Sequence, residues 1–184
     1  MTNDEVFAKV DFSVSTGVVP WDDPSEFVHI VTGKVCAYSD TDEEIEAGEI
    51  VLRVVLATAA MNNGEDLVDV CDADSAILAG IYAALFDKDG ETKEELDIEL
   101  GWNNLVFLET VEIAAEFRQT NLIIQAIETA LAMFASEGLV VAVEAGLDLD
   151  IDEWKRLGFI RIAGTGFVVR DQLKVNPYRN ENSA

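Results

Sequence analysis

A chain of 184 residues, 49% of them hydrophobic, is long enough to bury a core without disulfides or metals. Its apolar residues recur in blocks all along it, which excludes a disordered polymer. Thirty-six acids against 12 bases give a formal net charge of -24, a field that repels phosphate backbones and anionic lipid and argues against nucleic-acid and membrane-surface binding.

The acids gather at residues 22–23, 40–46, 87–99 and 148–153. These stretches read as loops and helix flanks, so a solvated surface is favoured over a basic partner or mimicry of DNA. Cys36 and Cys71 stand apart, with no CxxC and no disulfide framework. His29 is the sole histidine, which removes chemistry that needs two histidines or a Cys/His metal cluster; no metal is expected. The opening M-T-N-D-E-V lacks the basic and apolar regions of a signal peptide. No apolar run reaches the roughly 18–20 residues of a membrane span. The expectation is a cytoplasmic, reduced protein.

In chain order, residues 6–15 alternate as a strand does, and Asp22 to Pro24 punctuates them. Residues 27–38 form a second β-rich run, with Gly33 inside it as the mark of a bulge or turn. The acidic stretch 39–48 reads as a loop, and residues 49–58 as a strand with few polar positions, hence central in a sheet. From 73 to 86 the period becomes helical, with Asp72, Asp74 or Ser75 available as a cap and Asp89-Gly90 as a stop. Residues 91–99 follow as a loop or short helical turn.

The second half is more sharply patterned. Residues 105–113 read as a strand and 122–134 as an amphipathic helix with Ile123, Ile127, Ala130, Leu131 and Phe134 on one stripe. Gly138 follows as a stop, 139–144 as a strand and 152–157 as a short helix. Strands at 159–163 and 167–170 are joined by G-T-G. One domain over residues 1–175 with a loose polar tail at 176–184 fits this order.

The stretch E-I-A-A-E-F-R-Q-T-N-L-I-I-Q-A-I (112–127) resembles the strand-to-helix crossing of the GNAT acetyltransferases, usually V-x-P-x-Y-R-G-x-G-I-G-x-x-L. Ile113 stands at the valine, Glu116-Phe117-Arg118 at E-Y-R and Leu122 at the isoleucine. D-E-W-K-R-L-G-F (152–159) is similar to the family's Y-E-K-L-G-F, with Trp154 at the tyrosine and Gly158-Phe159 at G-F. The resemblance covers residues 103–171. It implies an α+β fold with a mixed, mostly antiparallel sheet and helices on both faces. It also implies acetyl-CoA or another acyl-CoA as donor, held by Ile113, Ala114, Arg118, Gln119, Asn121, Leu122 and Ile123.

The physical basis is general. A strand running into a helix N-terminus presents unpaired N–H groups and a positive dipole end, which suit a pyrophosphate. Two departures stand out. Asn121 and Ile123 replace two glycines, and a branched side chain at 123 takes space near the phosphates. Trp154 replaces the tyrosine that in many members protonates the leaving thiolate, and an indole N–H does not serve as an acid at neutral pH. Glu109 and Glu112 are the candidate general bases. Three positions apart on a regular strand, they face opposite sides of the sheet. The first half departs further, because the family usually places helices between its first two strands.

Three functions follow for comparison. One is an N-acyltransferase moving an acyl group from acyl-CoA to a small-molecule or protein amine, to which an acidic surface suits a cation. Another is a catalytically inactive GNAT-like binding or regulatory module, in keeping with a homodimer. The third is an acidic decoy of a nucleic-acid-binding protein, resting on charge alone.

Overall fold

The computed structural model describes residues 7–15, 23–38, 43–98, 104–118, 121–134, 138–147 and 149–172. The proposed tail at 176–184 and Gln119 lie outside them.

Seven strands form one sheet: β1 (Phe7–Ser15), β2 (Val28–Tyr38), β3 (Glu44–Val55), β4 (Leu105–Ile113), β5 (Leu139–Val143), β6 (Ile160–Arg161) and β7 (Phe167–Asp171). Their order across the sheet is β1-β2-β3-β4-β5-β7-β6. The pairing is antiparallel except between β4 and β5, which run parallel. Helices α1 (Ala57–Asn63), α2 (Leu67–Asp74) and α3 (Ala76–Leu85) connect β3 toward β4. Helix α4 (Leu122–Phe134) crosses from β4 to β5, as a parallel pair requires. Helix α5 (Ile151–Arg156) precedes β6.

The two faces of the sheet carry separate apolar layers. One face packs α4 and the Trp154 side chain of α5 against Ile50, Leu52, Val106 and Leu108. The other packs α3 residues Leu78, Ile81 and Leu85 against Val55, Leu105, Phe107 and Val141. The strand centre is therefore apolar on both sides, which explains the continuous hydrophobic runs of β3, β4 and β5. This is the expected α+β architecture, a mixed, mostly antiparallel sheet with helices on both faces. Among the described residues only a 3-10 turn, Pro24–Phe27, lies between β1 and β2. The helices sit between β3 and β4 instead, where the patterning indicated one helix. No helix of the described residues is long and apolar enough to cross a membrane.

Several boundaries differ from those the patterning suggests. The acidic stretch read as a loop is partly strand, since β3 begins at Glu44 and pairs Glu44, Ile45 and Glu46 with Tyr38, Ala37 and Cys36. Its carboxylates are balanced locally: Glu46 pairs with Lys34 at 2.8 Å, and Glu44 accepts from the Tyr38 hydroxyl. Gly33 marks neither bulge nor turn, for it sits in register between Phe12 and Ile50. A Cβ there would lie 2.6 Å from Ile50 Cγ2 and 2.7 Å from Phe12 Cε1, so glycine makes room for packing. The helix read from 73 is broken at Ser75. That residue is extended, and its Oγ accepts from Leu78 N to cap α3.

Candidate functional site

The second half of β4 is built differently from the first. Leu105 to Leu108 pair with Leu139 to Ala142 of β5. Beyond Leu108 that pairing stops, and β5 turns away after Val143, with Gly146 N donating to Val143 O at 3.0 Å. The parting coincides with a β-bulge. Val51 pairs with Thr110 but Leu52 with Leu108, so Glu109 is the extra residue. From Thr110 to Ile113, β4 keeps β3 on one side and opens a cleft on the other.

Main-chain direction follows from the next contact. Ala114 N donates to Ala47 O of β3 at 2.8 Å. Strand alternation then turns the main-chain groups of Ile113 away from β3, and Arg118 Nε approaches the Ile113 carbonyl at 3.5 Å. A 3-10 turn, Ala115–Phe117, carries the chain out of β4 and delivers Arg118 to this edge. Helix α4 opens just beyond, and its first turn closes when Gln125 N donates to the Asn121 carbonyl at 3.0 Å. The positive end of a 13-residue helix thus points at the mouth of the cleft.

A cavity of about 840 Å³ occupies this place. Val111, Ile113, Ala114, Phe117, Arg118, Ile123 and Gly146 line one part of it, and Lys34, Glu46, Gly48, Glu49 and Glu112 the other. Of the residues singled out from the sequence, Glu112, Ile113, Ala114, Arg118 and Ile123 therefore meet in one cavity. Leu122 does not line it; its side chain is fully buried in the layer under α4. Asn121 is exposed.

The two candidate bases do not face opposite sides of the sheet. Glu112 lies between Val111 and Ile113, both packed toward α4, so it points to the other face. Glu109 reaches Arg53, which lies between Leu52 and Val54 of that same α4-side layer and also points away from it. The bulge adds one residue and brings both carboxylates to one face. Their surroundings differ. Glu112 is exposed and directly opposite Glu49 across the β3–β4 pair. Glu109 is gripped by Arg53, Nε to Oε2 at 2.8 Å and the second guanidinium arm to Oε1 at 3.1 Å. Arg53 also holds Asp74 at 3.0 Å, and the Glu109 hydrogen bond foremost raises the guanidinium pKa above its ordinary value. Across the cavity, the hydrogen bond to Glu46 raises the Lys34 pKa.

Trp154 is fully buried. Its Nε1 donates to the Glu144 carbonyl at 3.3 Å, and its ring meets Phe159 edge-on at 4.9 Å. It is a core aromatic, held by a capping box at Asp150 and Glu153 that fixes the start of α5. Lys34, Glu46, Gly48 and Glu49 were not legible as site residues. They come from β2 and β3, and only the register of Glu49 on Glu112 brings them here. Elsewhere, Asp11, Cys36 and Glu44 bring ligand atoms within 4.8 Å of one another. Lys9 pairs with both of those carboxylates, at 2.8 and 3.8 Å.

No protein-family model and no curated protein matches the chain. Solved structures similar to it include two of one plant protein. Arabidopsis thaliana NAA60 in complex with a bisubstrate analogue shares 20% identity over 76% of this chain and 72% of that one, with a TM-score of 0.39. Arabidopsis thaliana NAA60 in complex with acetyl-CoA shares 18% over the same proportions, with a TM-score of 0.36. Superpositions this loose carry no argument about what the chain does.

Proposed function

We propose that the chain is an acyl-CoA-dependent N-acyltransferase working in the cleft between β4 and β5. The observation that carries the reading is the parting of the two strands at Glu109, beside a cavity that reaches Arg118 and the N-terminal end of α4. A thioester arm can extend along the free edge of β4 and take strand-like hydrogen bonds from Ile113. The pyrophosphate then meets Arg118 and the first turn of α4, where a cation and the helix dipole act together.

Glu112 is the base in this reading, because its carboxylate lines the cavity while Glu109 is committed to Arg53. An amine nitrogen attacks the thioester carbonyl carbon, a C–N bond forms and the C–S bond breaks. The amine proton passes to Glu112, directly or through water. The departing thiolate takes its proton from solvent, since the buried Trp154 has no acid to give. The test is release of free thiol from acetyl-CoA in the presence of small amines. Amine-dependent release should fall about 100- to 10,000-fold in Glu112→Gln, with donor affinity kept. No release by the unaltered chain would contradict the reading.

A second reading, a GNAT-like binding module without catalysis, is favoured by Ile123, whose side chain lines the cavity where glycines give close approach. Donor binding without thiol release separates it from the first.

A further inference from the structure

Arg53 does not line the cavity, yet two of its four hydrogen bonds hold the residue where the cleft begins. Its fork grips Glu109 through two hydrogen bonds, at 2.8 and 3.1 Å, and Asp74 through two more, at 3.0 and 3.2 Å. The group is only partly solvated, with side-chain exposures of 21% for Arg53, 12% for Asp74 and 29% for Glu109. Glu109 is the bulged residue, one step beyond Leu108, the last residue of β4 paired with β5. Asp74 ends α2, and Ser75 after it caps α3. One guanidinium thus ties β3, the β4 bulge and the α2–α3 junction together. A bidentate fork fixes orientation as well as distance, which a single ammonium does not.

We propose that Arg53 is a positioning residue, which by holding Glu109 against Asp74 fixes the point at which β4 parts from β5 and so sets the width of the cleft. Without the cation, two carboxylates face each other in a half-buried site, and like charges there repel. Glu109 then swings out, the bulge loses its anchor, and the pairing of residues 110–113 with β3 loses its fixed end. The part of this concerning an acyl-CoA ligand rests on the function proposed above; the part concerning β4 does not.

Amide hydrogen exchange in the ligand-free chain tests it. In Arg53→Met, exchange at Thr110 and Glu112, the two amides that strand alternation turns toward β3, should accelerate about tenfold or more while Leu105 to Leu108 stay protected. Arg53→Lys should fall between the two, because one ammonium replaces only part of the fork. If Arg53→Met does not fold, Asp74→Asn, which keeps the shape and drops one charge, should give a smaller acceleration confined to the same two amides. Unchanged exchange, or equal acceleration over all of β4, would overturn the proposal. Acetyl-CoA titration of the same variants supplies the second readout. If the unaltered chain binds, Arg53→Met should weaken binding about tenfold, with partial recovery in Arg53→Lys. If it does not bind, the acyltransferase reading fails, and exchange alone decides the role of Arg53.

Discussion

Ile123 takes up space in the cleft but asks nothing unusual of the backbone. It is the second residue of α4, a regular helical position. What a branched side chain there takes away, against the glycines of the resembled family, is room for phosphate. That Ile123 lines the cavity was not legible in the sequence, where it reads as part of the apolar stripe of the helix. The place of Arg118 was legible as that of a cation between a strand and a helix start, and the structure puts it on the cavity. The relation of Glu109 to Glu112 was not, because period-2 counting fails across a bulge.

The cysteines give a prediction at the same scale. Cys71 is fully buried between α2 and α3, and burial foremost pushes its thiol pKa from 9.0 up to about 12. In the unfolded chain the thiol loses its proton near the ordinary value; in the fold it keeps it. The unfolded state thus binds fewer protons over this window, and stability falls as pH rises from about 9 toward about 12. Denaturant midpoints across that range should decline, and Cys71→Ala should flatten the decline. A disulfide reagent at pH 8 should find Cys36 and Cys71 unreactive until the chain unfolds, since both are buried.

Among the elements, β4 and α4 have the bounds the patterning gives. Each has a strong period and a clear partner: two apolar layers for the strand and one stripe for the helix. Helices α1 and α2 escaped notice for a local reason. α1 follows β3 after a single residue, Leu56, and has no side-chain cap, so nothing in the sequence signals its start. The acids of β3 misled in the other direction, because a neighbouring strand meets them with the Lys34 ammonium at Glu46 and a Tyr38 hydroxyl that donates to Glu44.

Gly48 shows how closely β3 and β4 meet at the cleft. A Cβ there would lie 2.0 Å from the Glu112 carbonyl oxygen, a backbone atom that cannot swing aside. Gly48→Ala should cost about 1–3 kcal/mol, a fall of roughly 2–12 °C in Tm. Gly166→Ala, where a Cβ meets nothing within 4 Å, should stay within about 0.5 kcal/mol. Equal Tm changes for the two would contradict the close approach.

For the whole molecule, the charge of -24 works against an anionic donor. Its field repels a polyphosphate at long range, and salt screens that repulsion beyond about 10 Å. Binding must then be carried by local cations, and Arg118 is the one placed where the helix dipole of α4 adds to it. Acetyl-CoA association should therefore quicken as salt rises from low to moderate concentration, opposite to a cationic binder.

The most direct test of the acyl-donor cleft is a calorimetric titration of the intact chain with acetyl-CoA, repeated with Arg118→Ala. Saturable binding that weakens about tenfold in the variant, as loss of one charge-assisted contact requires, is the result expected. Absence of heat at millimolar acetyl-CoA, or equal affinity in the two proteins, would contradict a phosphate site at the start of α4.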